Sequence, residues 1–188
     1  YRCSHPVIEA CEHYLKQTWR NRCQIASANG PMILSLPIES EGKKQTDIKN
    51  IRISEHGNWQ HQHWHSIESA YYSSPYFEFY QDDLRPFFDQ KPRFLAELNE
   101  SIRVKLCELL GIPGTVRFTT DYLHEGHLPD GWTDFRNLIS PKKDPETTDP
   151  DFTAKPYYQV FDYKFGFLPN LSILDLLFNM GPESIFYL

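Results

Sequence analysis

The spacing of apolar residues changes along the chain from short runs to a helical period. Short apolar runs occupy residues 7–8, 23–26 and 32–36. Asn29-Gly30, between the second and third runs, is a strong signal for a tight turn, so we predict a hairpin of strands 22–27 and 32–38. Further strands are predicted around Ile48, Ile51 and Ile53 and at residues 116–118.

Two longer segments repeat apolar residues at steps of three and four, which is the period of a helix. The first covers residues 58–72 and is ended by Ser74-Pro75. The second covers residues 92–110, with Pro92 suited to a first turn and Gly111 to a C-terminal stop. We predict one helix in each segment, and the leucine-rich face of the second should pack on a core.

The C-terminal third combines an irregular segment with apolar elements. Residues 121–156 contain five prolines and show no hydrophobic period, which is typical of a binding loop, a lid or a disordered insert. A strand at 157–161 and a buried apolar helix at 171–180, ended by Gly181-Pro182, are predicted after it. The pattern predicts an α/β fold, in which residues 1–188 form a single domain with a mixed β-sheet, two or three long helices and this long irregular loop.

Composition and charge exclude several classes of protein. The 188 residues are 40% hydrophobic and 15% aromatic, which is enough to build a core. The net charge of −6 disfavours nucleic-acid binding, and no run of 18 apolar residues is present to span a membrane. Nothing at the start resembles a secretory leader, so a cytoplasmic location is expected.

Motifs for common cofactors and metals are missing from the sequence. The four cysteines form no C-x-x-C pair, so structural zinc is not expected. There is no P-loop, no dinucleotide-binding glycine motif and no nucleophile elbow. We therefore predict neither a cofactor nor a metal. Cys23 adjoins a cationic run that favours a lowered pKa, but its apolar flanks favour a packed thiol.

Residues 16–22 concentrate positive charge in an acidic protein. Lys16, Arg20 and Arg22 fall within seven residues, and Gln17 and Asn21 add amide donors. On an extended segment Arg20 and Arg22 share one face, where two guanidinium groups suit the capture of phosphate or carboxylate. The alternative is an edge strand that cations protect from aggregation.

Histidines in the first predicted helix raise two separate questions. His61, His65 and Glu68 fall on one face and offer a pair of metal ligands, but a surface helix also gathers such residues by chance. His63 falls on the apolar face, where a half-buried imidazole is suited to act as a general base. The alternative for His63 is a histidine at the edge of the core, bonded to a backbone carbonyl.

The long loop and the last helix carry further polar candidates. His124 and His127 are a second possible ligand pair or simply exposed residues, while Arg136, Lys142 and Lys143 either close over an anionic substrate or form a solvated turn. Asp175 is the only charge in the apolar helix and needs a partner. It either completes a capping box with Ser172 or orients a cation, such as an arginine of residues 16–22 or a substrate amine.

Several strings resemble the WbqC-like family, and the resemblance covers nearly the whole chain. They are Lys16-Gln17-Thr18-Trp19-Arg20-Asn21-Arg22-Cys23, His63-Trp64, Ala70-Tyr71, Ser73-Ser74-Pro75-Tyr76-Phe77, and the ending from Tyr157 to Glu183. Members of that family normally open with an extra strand and a Tyr-Leu-Pro or Tyr-Phe-Pro turn leading into a helix. The resemblance implies that this opening is missing ahead of Tyr1.

The resemblance also implies a role in the biosynthesis of surface polysaccharides of the O-antigen type, with glycine or aminoacyl transfer as the suggested reaction. The expected enzyme is a transferase that moves a glycyl or aminoacyl group to a nucleotide-linked sugar. Residues 16–22 would hold the anionic substrate, which is a nucleotide-sugar or an activated amino acid. His63 and Asp175 are then the catalytic candidates, and Tyr157 and Asn170 would line the same pocket. No nucleic acid or membrane partner is expected.

Two other functions remain open at this stage. The missing opening, a strand and proline turn before a helix, is similar to nucleotidylyltransferase-like α/β folds, which favours nucleotidyl transfer. Alternatively, the chain is a non-catalytic binding or scaffold subunit whose aromatic surface docks another biosynthetic enzyme. Binding of nucleotide-sugars, glycine or ATP would separate an enzyme from a scaffold.

Overall fold

The computed structural model describes residues 5–39, 46–124, 126–136, 138–141 and 153–188, and its class is α/β. The strands are β1 (Val7–Ile8), β2 (Arg22–Ile25), β3 (Met32–Ser35) and β4 (Arg117–Phe118). The α-helices are α1 (Trp59–Tyr71), α2 (Phe77–Leu84), α3 (Pro86–Asp89), α4 (Leu95–Leu109), α5 (Asp162–Phe165) and α6 (Ile173–Met180). Short 3₁₀-helices cover Ile48–Asn50 and Gly181–Tyr187.

The described strands form two separate two-stranded sheets instead of one mixed sheet. β2 and β3 are antiparallel, which confirms the predicted hairpin with shorter strands, and their register pairs Arg22 with Ser35. Two backbone hydrogen bonds between Ser27 and Gly30 close the turn, where Gly30 adopts a φ of +103° that suits glycine. β1 and β4 are parallel and lie far apart in sequence, so the predicted strand near residue 117 pairs with the start of the chain.

Both predicted long helices are confirmed, with one boundary moved. α1 ends at Tyr71 before Ser74, as expected. α4 begins at Leu95 instead of near Pro92, because Phe94 is extended and pairs with Arg52 in an isolated bridge. No helix was predicted at α2, which follows shortly after α1 and packs against α3 and α4.

The strand predicted around Ile48 to Ile53 is replaced by a 3₁₀-turn followed by isolated bridges. Residues Ile48–Asn50 form the turn, while Ile53 pairs only with Ile38. The side chains of Ile48, Ile51 and Ile53 are nevertheless buried. The apolar spacing therefore identified the inward-facing residues correctly and the backbone conformation wrongly.

The predicted strand at 157–161 is wrong, and the reason lies in Gln159. This buried side chain accepts a hydrogen bond from the backbone N–H of Leu168 (2.8 Å) and donates one to the Leu168 carbonyl (2.9 Å). A side-chain amide thus takes the place of the backbone partner that a neighbouring strand would supply. The segment then turns into α5, while α6 is buried and ends before Gly181, as predicted.

Two groups of buried apolar side chains form the core. The first lies between the hairpin, α1, α2 and α6 and includes Tyr71, Phe77 and Phe178. The second lies under α4 and the segment of residues 48–53 and includes Trp59 and Leu95. Phe87 and Phe88 of α3 pack against both groups, so α3 lies where the two groups meet.

The described part of the 121–156 segment contains neither helix nor strand and is held by a polar network. Glu9 is buried and accepts hydrogen bonds from the Thr119 hydroxyl (2.6 Å) and the Leu123 N–H (2.9 Å). Arg136 pairs with Asp134, donates to the Leu123 carbonyl and approaches Glu9.

This network changes the expectations for the loop. Arg136 is occupied by internal partners and is not free to close over an anion, and Lys142 and Lys143 lie outside the described residues. Burial tends to raise the pKa of Glu9, but its hydrogen bonds and Arg136 together lower it. His124 and His127 are exposed.

Within the described ranges, no helix has the length and apolar character needed to cross a bilayer.

Gly181→Ala is expected to lower the free energy of unfolding by about 2–3 kcal/mol, because left-handed strain costs about 1–3 kcal/mol and a steric clash adds to it. Gly181 has a φ of +53°, and a Cβ atom there would lie 2.5 Å from the Tyr76 ring. Gly57→Ala is the matched control, since Gly57 also has positive φ (+82°) but open space around it. Urea denaturation measures both variants, and equal losses would contradict the proposed clash.

Candidate functional site

A cavity of about 250 Å³ lies between the two groups of core residues. The hairpin forms one side, α1, α3 and α4 form the opposite side, and the start of α6 closes one end. Its walls are largely apolar, and their aromatic residues are Trp19, Trp59, Trp64, Phe87, Phe88 and Phe178. The four polar candidates Arg20, Asn21, Arg22 and His63 also line it. The structure therefore brings these four predicted site residues together.

Arg22 and His63 are both related to Ser35 of the hairpin. Arg22 and Ser35 are partners across β2 and β3. His63 of α1 forms a hydrogen bond with the backbone of Ser35, so the imidazole is held next to the same rung. An edge-on contact with the Trp59 ring, at 5.4 Å between centroids, fixes the other side of His63.

Burial favours the neutral form of the His63 imidazole. Burial lowers its pKa from 6.5, and the hydrogen bond to Ser35 opposes this only in part. In its neutral form an imidazole carries a proton on one ring nitrogen, and the other nitrogen is an acceptor. The backbone bond that was the structural alternative for His63 is thus present, and it is also the bond that prepares the ring to accept a proton.

Arg20 is already neutralised within the protein. Its Nε donates to Glu12 Oε1 at 2.7 Å, and a second bond joins Nη2 to Glu12 Oε2. Both side chains are about 85% buried. The Arg20 carbonyl accepts a hydrogen bond from the Asn99 side chain of α4 (2.8 Å), so the segment before β2 is fixed at two points.

Arg22 differs from Arg20 because it has no ion pair among the described residues. Its side chain is half-buried, and its Nε atom is buried without a hydrogen-bond partner in the described part of the chain. Two other buried atoms of the cavity wall share this property, namely Asn21 Oδ1 and Trp64 Nε1. Buried polar groups are normally paired, so three unpaired ones around one cavity indicate a place for a polar ligand.

Lys16, Gln17 and Asn170 do not reach the cavity. All three are exposed. Gln17 and Asn170 both adopt a φ of +59°, which identifies them as turn residues, and asparagine is one of the residues that tolerate this conformation. Asn170 ends the turn before α6, and Lys16 is a solvated charge.

Asp175 and Tyr157 belong to a second polar cluster outside the cavity. Oδ2 of the fully buried Asp175 accepts hydrogen bonds from the Tyr157 hydroxyl (2.8 Å) and from Gln159 Nε2 (2.9 Å). Burial raises the pKa of Asp175 above its ordinary value, and the hydrogen bonds from Tyr157, Tyr71 and Gln159 reverse this only in part. Its side chain makes no capping-box bond to the Ser172 N–H, which donates to the Gln24 carbonyl. Nor does it pair with an arginine of residues 16–22.

Asp175 therefore joins α6 to the segment of residues 157–168. This connection helps to hold α6 in position at the end of the cavity. The Ser172 side chain does cap α6, by accepting from the Leu174 N–H, but this is a simple N-cap and not the predicted capping box with Asp175. Burial raises the pKa of Tyr157, and the Asp175 carboxylate adds to this, so the phenol stays protonated as a donor.

Metal and thiol chemistry receive no support from the described residues. Nowhere in the described ranges do three His, Cys, Asp or Glu side chains come together as a metal site. His61 and His65 stack on each other at 6.0 Å, and His65 lies 3.9 Å from Glu68, so these residues form an exposed polar face. Burial raises the pKa of the Cys23 thiol, which is therefore a packed residue of the cavity wall.

Some residues that shape the site carried little signal in the sequence. Glu12 is not close to a recognisable motif, and only its contact with Arg20 reveals its effect on the charge of the cavity. Asn99 lies on the polar side of a helix and looks like an ordinary surface residue. Helical spacing places Trp59 on the face of His63, whereas Trp64 is the next residue and lies about 100° around the helix, so nothing indicated that all three line one cavity.

The comparisons with known proteins agree with the resemblance seen in the sequence. An uncharacterized protein of Mycobacterium tuberculosis, Rv1507c, is 29% identical over 197 residues, which cover 93% of this chain and 83% of the relative. No solved structure matches the chain significantly. The profile of the WbqC-like protein family matches residues 1–135, which include the hairpin, α1 to α4 and most of the cavity wall. Because this match covers more than half of the chain, the protein belongs to the WbqC-like protein family.

Proposed function

We propose that the protein is a cytoplasmic transferase of surface-polysaccharide biosynthesis, which transfers a glycyl or other aminoacyl group to a nucleotide-linked sugar. The observation that carries this proposal is the cavity, whose wall contains both Arg22, with its buried and unpaired Nε–H, and the half-buried imidazole of His63. Membership of the WbqC-like family supports the biosynthetic role.

The two side chains have complementary tasks in acyl transfer. Arg22 binds the oxygen of the acyl group and stabilises the negative charge that develops on it during attack. His63 accepts the proton of the attacking amine or hydroxyl through its free ring nitrogen. A bond forms between the acyl carbon and the acceptor, the bond to the leaving group of the activated donor breaks, and His63 returns the proton to that leaving group.

The apolar walls assist this chemistry by excluding water. Six aromatic side chains surround the polar pair, and a charge interaction is stronger in such surroundings than in water. The Asp175 cluster keeps α6, and with it Phe178, in place behind the cavity. Arg20, held by Glu12, fixes the chain segment that presents Arg22.

A ligand screen followed by a transfer assay tests the proposal. Melting temperature is measured with nucleotide-sugars, glycine, other amino acids and ATP, and binders are then incubated together while mass spectrometry detects an acylated sugar. We expect at least one donor to raise the melting temperature of the wild type and of Lys16→Gln, whose exposed charge lies outside the cavity. Arg22→Gln should lose that rise. If none of these compounds is bound and no product forms, the scaffold role is favoured instead.

A further inference from the structure

The charges around the cavity limit which anion it accepts. Of the two arginines in its wall, Arg20 is neutralised by Glu12, and Arg22 has no counter-ion in the described part of the chain. His63 is neutral, because burial lowers its pKa. No aspartate or glutamate is among the described lining residues. The wall therefore carries one uncompensated positive charge.

A cavity wall with one uncompensated positive charge is best neutralised by a ligand group with one negative charge. A phosphate monoester or a pyrophosphate carries two or more charges and would leave at least one of them buried without a counter-ion, which is costly. A carboxylate, or the oxygen of an acyl group under attack, carries a single charge and fits the fork of a guanidinium. The Trp64 and Arg22 N–H groups offer two unpaired donors to such oxygens, and Asn21 Oδ1 offers an acceptor for a nearby N–H or O–H.

The size and lining of the cavity limit the rest of the ligand. A volume of about 250 Å³ corresponds to roughly eight water molecules at about 30 Å³ each. A glycyl group would leave most of the aromatic wall uncovered, whereas an acyl group with a bulky apolar side chain would cover it. A whole nucleotide-sugar is too large to be enclosed, so its phosphates must lie outside the cavity.

We propose that the cavity binds the acyl group of the donor, and that this acyl group has an apolar side chain clearly larger than that of glycyl and takes a single negative charge on its carbonyl oxygen during attack. The proposal rests on the proposed transferase function and specifies its donor. The acceptor sugar and its phosphates then approach from the open side of the cavity. Apolar contact supplies affinity, while Arg22 fixes the position of the reacting carbonyl carbon.

Calorimetric titration with two matched series of compounds tests the charge and the size. The first series is straight-chain carboxylates from acetate to octanoate, and the second is alkyl phosphates of equal length. For the wild type we expect Kd to fall about fourfold per added methylene, as burial of each methylene predicts, until the cavity is full. Carboxylates should bind at least tenfold more tightly than the alkyl phosphates, and glycine should bind no better than acetate.

Three variants separate the contribution of each charge. Arg22→Gln should weaken hexanoate binding by about 10- to 100-fold, the range for a hydrogen bond to a charged group, and leave hexanamide binding nearly unchanged. Lys16→Gln should change neither the binding of hexanoate nor that of hexanamide. Glu12→Gln frees Arg20 and should shift the preference towards the alkyl phosphates by about tenfold, provided that its circular dichroism and melting curve remain those of a folded protein.

The possible outcomes separate this inference from the proposed function. Equal or tighter binding of alkyl phosphates, no dependence on chain length, or no binding of any carboxylate overturns the inference, even if a transfer product is found. Carboxylate binding that follows the expected order, without any transfer product from the corresponding activated donors, supports the inference and contradicts the proposed transfer.

Discussion

Asp175→Ala is expected to lower the free energy of unfolding by about 2–4 kcal/mol, since each buried donor left without its acceptor costs about 1–3 kcal/mol. Asp175 Oδ2 accepts from both Tyr157 and Gln159. Gln159 is itself buried and holds the backbone of Leu168, so loss of the carboxylate disturbs the whole connection between α6 and residues 157–168. Urea denaturation followed by fluorescence measures the loss.

Asp175→Asn is the matched control and should cost less than about 1 kcal/mol, because one amide oxygen can still accept both hydrogen bonds. The amide also removes a buried ionisable group whose burial raises its pKa. A loss in Asp175→Asn as large as that in Asp175→Ala would show that the negative charge, and not the acceptor, holds the cluster together.

The free energies of unfolding of wild type and Asp175→Asn are also expected to differ in their dependence on pH. Because the pKa of Asp175 is higher in the folded chain than its ordinary value of 3.8, the folded chain binds this proton more tightly than the unfolded chain. The stabilisation that comes from binding this proton more tightly in the folded chain is therefore fully present below pH 3.8. It is lost as the pH rises through the folded-state pKa of Asp175. The stability of Asp175→Asn relative to wild type should increase over that range, and a constant difference would contradict the raised pKa.

His63→Gln is expected to reduce kcat about 100- to 10,000-fold, the contribution typical of a general base. Glutamine can still donate to the Ser35 carbonyl and fill most of the space beside Trp59, but it cannot accept a proton. The melting temperature should stay close to that of the wild type. A large drop in melting temperature with a small change in kcat would assign His63 to packing.

The pH profile gives a second test of His63. Burial lowers its pKa below 6.5, so kcat/KM of the wild type should rise with pH through a value below 6.5 and be flat at neutral pH. The His63→Gln variant should lose this acid limb. Arg22→Gln should keep it, because His63 is still present in that variant, and its lower rate should appear at every pH.

Local signals in the sequence predicted the elements whose hydrogen bonds are local. The Asn29-Gly30 turn, the period of α1 and α4, and the apolar α6 all depend on residues within one or two turns of each other. The segment at 157–161 was predicted wrongly because its partners are side chains: Gln159 bonds to Leu168 and Asp175, and no spacing rule anticipates a buried amide in that role.

The candidate site was predicted only in part, because some of its properties depend on contacts between residues that are not close in sequence. Arg20, Arg22 and His63 were identified from residue type and position, and the structure brings them to one cavity. The neutralisation of Arg20 depends on Glu12, which lies before a turn and faces Arg20 only after the chain reverses. The difference between the two arginines is therefore a property of tertiary structure.

The parallel pairing of β1 with β4 has a consequence for how the chain folds. Thr119 and Glu9 are 110 positions apart and are joined by a hydrogen bond beside this pair. Closing so long a loop is entropically unfavourable until intervening elements have condensed. We therefore expect the hairpin and the helices to form early, while the first strand joins residues 117–118 near the end of folding. Amide exchange in a refolding pulse-labelling experiment should show Arg117 and Thr119 among the last protected N–H groups.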